Sequence, residues 1–177
     1  MRTDDFWAVI DRATADRPGS PDEVAKRAAA DLAARDPAEI VAWDRHLGKV
    51  MVASGTEDLW AAAYLINGGC SEEGFDAFRG WLIAHGREAV AAAVREPDSL
   101  AGMPAVRAAA DSGAVFEAEE MLSIGERAYE HAAGSPLPRP DATPSRPDAA
   151  DLWDFDDEEE MRRRLPRLSA MFLEPPG

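Results

Sequence analysis

Cysteine is all but missing from this 177-residue chain, where Cys70 stands alone. No disulfide closes within it and no cluster of thiolates gathers for zinc, so a reducing, cytoplasmic setting is expected. Lysine is confined to Lys26 and Lys49 while arginine, alanine and aspartate abound, a bias typical of GC-rich bacterial genomes. The three histidines, His46, His85 and His131, fall on separate expected helices. None has the spacing that aims two rings at one ion, so no metal or cofactor is expected. No apolar run approaches the roughly 18 residues of a membrane span. Met1 to Phe6 has no basic start leading into an apolar stretch, so neither membrane insertion nor export is expected. Positive charge is also scarce: 34 acids face 19 bases, a net charge of -15. Both halves of a division after Gly134 are acidic, with 24 acids and 13 bases before it and 10 and 6 after it. Nucleic acid and anionic lipid are therefore not expected partners.

What the chain does carry is hydrophobic content of 46%, enough for one core at this length. Helix-start signals recur. Ser20-Pro21-Asp22-Glu23 joins an N-cap serine, proline at the first helical position and a returning glutamate. Asp36-Pro37-Ala38-Glu39 repeats the device with aspartate, and Thr56-Glu57-Asp58 and Ser71-Glu72-Glu73 add two acid-rich starts. Apolar stripes at helical spacing follow: Phe6, Ile10 and Ala13, then Val24, Ala28 and Leu32, then Ile40, Trp43, Leu47, Val50 and Met51. Leu59 to Ile66 is apolar all round, the mark of a helix enclosed by neighbours, and it stops at Asn67-Gly68-Gly69, where glycine takes a left-handed cap. A fifth helix is expected from about Ser71 to Ala84 and a sixth over Glu88 to Arg95. Pro104 is expected to interrupt any helix beyond Pro97-Asp98, and a closing helix is expected from about Val115 to Ala133.

Five prolines between Ser135 and Asp148 deny helix and sheet and point to an extended strap. Acids from Asp154 to Glu160 precede Arg162 to Arg164, which suits a short solvated helix with Glu158–Arg162, Glu159–Arg163 and Glu160–Arg164 pairs. Trp153, Leu165, Leu168, Met171 and Phe172 are the expected anchors of this arm.

The run Asp58-Leu59-Trp60-Ala61-Ala62-Ala63-Tyr64-Leu65-Ile66-Asn67-Gly68-Gly69-Cys70-Ser71, continued by Gly74 through Ile83, resembles a bacterial family catalogued as domain of unknown function 4240. The likeness spans about Asp4 to Gly134 and includes Phe6-Trp7 and Pro97-Asp98-Ser99-Leu100. Trp153 through Leu168 is similar to a Trp-acidic arm ending in Pro-Arg-Leu in other members. The resemblance implies a fold unit and brings no activity with it.

The leading site candidate is Gly68 to Trp81, where a glycine turn delivers backbone donors to a helix start beside Ser71, Arg79 and Trp81. The structural alternative makes Gly68-Gly69 an interhelix turn, Ser71 a cap and Arg79 the partner of Glu72 or Asp76. Asp44 falls near the stripe of the third helix and needs a donor, with Arg79 the candidate. Trp60, Tyr64 and Trp81 either line a groove or pack in the core, Trp81 lying off the inner face by helical geometry. Cys70 precedes a helix start that favours thiolate, while Glu72 and Glu73 oppose it. His85 suits capping or packing, and no Gly-x-Ser-x-Gly elbow is present.

These observations predict an all-α, compact bundle of six or seven helices over residues 1–134, a proline-rich connector over 135–150 and a C-terminal arm over 151–177. The arm packs on its own domain or on another copy. The functional expectation is a cytoplasmic protein-interaction or regulatory module that meets a protein partner through its acidic surface and the Gly68 to Trp81 region. The alternative is a small-ligand-binding protein or enzyme whose pocket, between the third, fourth and fifth helices, holds Asp44, Ser71, Glu72 and Arg79.

Overall fold

The computed structural model describes residues 1–15, 19–138 and 145–174, and all regular structure among them is helical. The chain begins with α1 (Thr3–Ala15), α2 (Pro21–Ala33) and α3 (Pro37–Ser54), followed by α4 (Glu57–Asn67), α5 (Glu72–Ala84) and α6 (Arg87–Arg95). A 3-10 helix at Pro97–Gly102 leads into α7 (Pro104–Ser112), and a shorter one at Glu119–Met121 precedes α8 (Ile124–Ala133). Two helices, α9 (Glu158–Arg164) and α10 (Pro166–Phe172), close the described chain.

Among the described residues, eight α-helices lie within 1–134 against the six or seven expected there, and two follow in the arm where one was expected; Pro104 and Pro166 open the two that were not foreseen. Pro104 opens α7 instead of interrupting a helix, because the first helical position needs no backbone N–H. Pro166 ends α9 and starts α10 in the same way. The expected connector falls partly outside the described residues, at 139–144. Before that stretch Leu137 is buried; after it Ser145 to Pro147 runs without helix.

The capping chemistry forms largely as read. Ser20 and Glu23 make a reciprocal capping box, and Thr56 and Ser71 accept from the backbone of Leu59 and Gly74. Asp36 differs: its side chain makes no cap bond, and its carbonyl accepts from Glu39 and Ile40 instead. Gly68 takes the left-handed conformation at φ 67° that ends α4. The uncharged stretch of α4 is enclosed, with Leu59 to Ala63, Leu65 and Ile66 buried. The element that joins the molecule is α5, which touches α2, α3, α4, α6 and the Glu119–Met121 turn. Around it α2 packs closely on α8 and α1, and α10 lies against α4 and the Pro97–Gly102 helix.

The continuous helix expected from Val115 to Ala133 does not form. Residues 114–118 lie outside any helix, because the Asn67 side chain does for Phe116 what a helix would: its amide nitrogen donates to the Phe116 carbonyl at 3.2 Å and its oxygen accepts from the Phe116 N–H at 3.0 Å. The Ala118 N–H then donates to the Ala77 carbonyl at 2.9 Å. This segment covers Trp81, whose ring stacks on Phe116 at 4.3 Å, so Trp81 is buried and not off the inner face as helical geometry alone suggests. His85 caps α5 with its ring against Trp81 and its Nδ1 2.9 Å from the Trp81 carbonyl.

The C-terminal arm docks through a buried cap. Asp98, 6% exposed, accepts from the backbone of Arg167 and Leu168 at 2.9 to 3.1 Å, so a carboxylate on the Pro97–Gly102 helix satisfies the free donors of α10. Met161, Leu165 and Leu168 are fully enclosed beside it, so α9 is not the wholly solvated helix expected. Of its expected pairs, Glu158–Arg162 and Glu160–Arg164 form, whereas Arg163 pairs with Glu160 instead of Glu159.

A Cβ added at Gly80 would stand 2.3 Å from the Ala118 carbonyl oxygen, whereas one at Gly48, on the exposed side of α3, would meet nothing within 4 Å. Gly80→Ala should therefore lower unfolding free energy by about 1–3 kcal/mol in urea titrations. Gly48→Ala should raise it by about 0.5–1 kcal/mol.

Candidate functional site

The polar residues of α5 converge on one buried cation. Arg79 is 1% exposed. Its Nη1 donates to the Met51 carbonyl at 2.6 Å and to the Ser145 carbonyl at 2.7 Å, its Nη2 pairs with Asp76, and its Nε donates to the Phe75 carbonyl at 3.4 Å. The Met51 carbonyl lies in the last turn of α3, where acceptors lack helical partners and the negative end of the helix dipole favours a cation. Burial presses the Arg79 guanidinium below its ordinary pKa, and the adjacent Asp76 carboxylate opposes that shift. Arg146 extends the chain of charges, donating to Asp76 at 2.6 Å and to Glu72 at 2.7 Å. The bond with Glu72 raises the Arg146 pKa. Gly55 makes room for the strap here, since a Cβ on it would lie 1.9 Å from the Ser145 oxygen.

Beside this cluster runs an aromatic row. Trp60 stacks on Phe75 at 5.0 Å and donates its indole N–H to the Cys70 carbonyl at 3.0 Å. Phe155 of the arm lies edge-on to Trp60 at 6.4 Å, 5.5 Å from Tyr64 and 4.9 Å from Trp153. The Tyr64 hydroxyl donates to Asp156 at 2.6 Å, a bond that raises the tyrosine pKa, and the Trp153 backbone donates to Glu57 at 2.7 Å. The Arg164 guanidinium sits over the Trp153 ring at 5.0 Å and bonds Asp58 and Glu160.

Of the residues singled out from sequence, Trp60, Tyr64, Glu72 and Arg79 therefore meet the returning segment 145–156, while Ser71 is exposed and caps α5 through the Gly74 N–H. Trp81 lies apart, beneath Phe116. Asp44 is separate too. It packs against Gly125 of α8, where an added Cβ would come within 2.6 Å of its carboxylate oxygen, and the bonds of Arg79 go to Asp76 and to carbonyls of α3, α5 and the strap. The expected Asp44–Arg79 partnership does not form, because Asp44 faces α8 and the guanidinium is directed to the end of α3. The described clefts are lined by Arg127 and His131 beside α2, by Arg12, Arg35 and Glu39 between α1 and α3, and by Phe155, Asp156 and the sequence-predicted Tyr64 beside the arm. Sequence reading missed Ser145, Arg146, Phe155 and Asp156 as members of this face. The only signal was the strap itself, since nothing in local spacing says where residue 146 returns.

Among the described residues, no three histidine, cysteine or acidic side chains gather in a way that could hold a metal ion. No helix among them is long and apolar enough to cross a membrane. A family model described as Protein of unknown function (DUF4240) matches residues 1–131. The chain belongs to this family. The DUF4240 match takes in α1 through most of α8, and with it Trp60, Tyr64, Ser71, Glu72, Asp76 and Arg79. Ser145, Arg146, Phe155 and Asp156, which pack on Trp60, Tyr64, Glu72, Asp76 and Arg79, come after it. No curated protein and no solved structure matches the chain.

Cys70 sits against α5 in a half-buried position where burial and the Glu117 charge raise its thiol pKa to about 12, outweighing the nearby Arg79 cation. The helix start beyond it does not produce a thiolate. With the pKa raised, the thiol stays protonated through neutral pH, so alkylation by iodoacetamide at pH 8 should run at least about tenfold slower than in the urea-unfolded chain. A rate equal to that of the unfolded chain would contradict the assignment. Arg79→Met should cost about 3 kcal/mol or more in urea unfolding, since it strands the Met51 and Ser145 carbonyls and removes a partner of Asp76.

Proposed function

We propose that this chain is a protein-interaction module that meets a basic partner through an ordered acidic face. The observation that carries the reading is the stretch 148–160, which holds eight acids and no base. Asp148, Asp151, Asp154, Asp156, Asp157, Glu158 and Glu159 are exposed, while Leu152, Trp153 and Phe155 pack on the core between them. A free acidic tail would spread such charges apart. Here apolar anchors and the Tyr64 and Glu57 bonds hold them in register. A fixed surface of one sign steers an oppositely charged partner and spares it part of the ordering cost. In this reading residues 1–134 are the domain, 135–150 the connector and 151–177 the arm that completes the face. The single cysteine supports a reducing, cytoplasmic setting. A ligand pocket built on Asp44, Ser71 and Arg79 draws no support from the geometry, since Asp44 lies away from the other two.

The test is fluorescence anisotropy with a labelled oligolysine peptide at low and high salt. Binding should weaken as salt rises. It should also fall about tenfold in Asp151→Asn/Asp154→Asn/Glu159→Gln and hold in Glu88→Gln/Glu119→Gln/Glu130→Gln, which removes equal charge elsewhere. Equal losses from both triple variants, or no binding at low salt, would overturn the reading.

A further inference from the structure

Arginine over an aromatic ring, with a carboxylate at its head, recurs in this fold. Arg79 lies over Phe75 at 4.4 Å and pairs with Asp76. Arg164 lies over Trp153 at 5.0 Å and pairs with Asp58 and Glu160. A third set of the same parts stands beside them without a guanidinium. Tyr64 and Phe155, 5.5 Å apart, flank Asp156, and Asp156 makes no ion pair among the described residues. These three groups open on a cleft of about 200 Å³ between α4 and the arm. Fully buried Met161 and half-buried Phe172 add apolar wall, and Glu158 stands at the exposed side.

We propose that this cleft receives an arginine side chain of the basic partner, an inference that rests on the acidic-face reading above. The aliphatic stem would lie along Met161 and Phe172, and the guanidinium would stack on the ring of Phe155 or Tyr64 with Asp156 at its edge. One oxygen of Asp156 accepts from the Tyr64 hydroxyl, which holds the carboxylate in place and leaves the other oxygen for the incoming donor. Glu158 contributes less, because Arg162 already pairs with it at 2.8 Å. Arg162 also donates to the Glu174 carbonyl at 2.7 Å. Arginine suits the cleft better than lysine, since a planar, weakly hydrated cation both stacks on rings and bonds a carboxylate edge.

The experiment is an NMR titration of the full chain with three short glycine peptides that differ in one central residue: arginine, lysine or the uncharged isostere citrulline. The arginine peptide should give saturable shifts confined to Tyr64, Phe155, Phe172 and their neighbours, with citrulline giving none. Asp156→Asn, which keeps an acceptor for Tyr64, should weaken arginine binding about tenfold, while Glu119→Gln, an equal change in charge away from the cleft, should leave it within about twofold. Equal effects of the two variants, shifts scattered over the acidic surface, or equal binding of all three peptides would overturn the proposal. Oligolysine binding that depends on Asp151, Asp154 and Glu159 but ignores Asp156→Asn would sink the arginine cleft and leave the acidic face standing. Loss of oligolysine binding altogether would sink the face itself.

Discussion

A buried guanidinium can be held only where acceptors surround it, and Arg79 draws its acceptors from three separate parts of the chain. The end of α3 supplies the Met51 carbonyl, α5 supplies Phe75 and Asp76, and the strap supplies Ser145. Any displacement of one element leaves charge or carbonyl unsatisfied in a region water does not reach, at a cost of about 1–3 kcal/mol per group. The position of the strap over α5 follows from this constraint, and so does the small residue at Gly55 that lets it approach. Arg146 then joins Glu72 and Asp76 into one charge network, so the polar groups that make α5 look like an open site in sequence are spent in holding the chain to itself.

The same economy governs the arm. Asp98 provides α10 with the cap its own sequence lacks, and Met161, Leu165 and Leu168 fill the space beside it. Burial of three such side chains contributes about 1.5–3 kcal/mol each, which exceeds what exposed ion pairs on α9 supply. The anchored arm carries the acids of 148–160 on its outer side. Charge is thus kept in solvent while the aromatic row beneath it, Trp153, Phe155, Tyr64 and Trp60, stays mostly dry. Pro97-Asp98 and the Pro-Arg-Leu of the arm, far apart in the chain, meet at that cap.

The helical reading was legible where chemistry is local. Ser20, Thr56 and Ser71 cap the helices they precede, and Gly68 turns left-handed where the apolar run of α4 ends. Arg79 pairing with Asp76 is an i,i+3 relation that spacing alone suggests. The misplaced parts are those in which a distant group overrides the local pattern. Asn67 holds Phe116 out of helix in a helix-like stretch, and that segment buries Trp81. Asp44, which sits on the stripe of α3, faces Gly125 because α8 packs on α3 there.

What the sequence determined by itself was the all-helical class, most of the helix starts and the acidic surplus, since caps, periodicity and charge act within a few residues. Tertiary structure alone decided which polar groups are consumed and which remain open. Glu72, Asp76 and Arg79 are paired with Arg146 and Ser145, while Asp156 is left beside Tyr64 and Phe155 without a cation among the described residues. That outcome depends on where a strap beginning some fifty residues after α5 returns. The return of Ser145 and Arg146 satisfies one guanidinium and that of Trp153 and Phe155 buries apolar anchors, and neither requirement leaves a mark in local spacing.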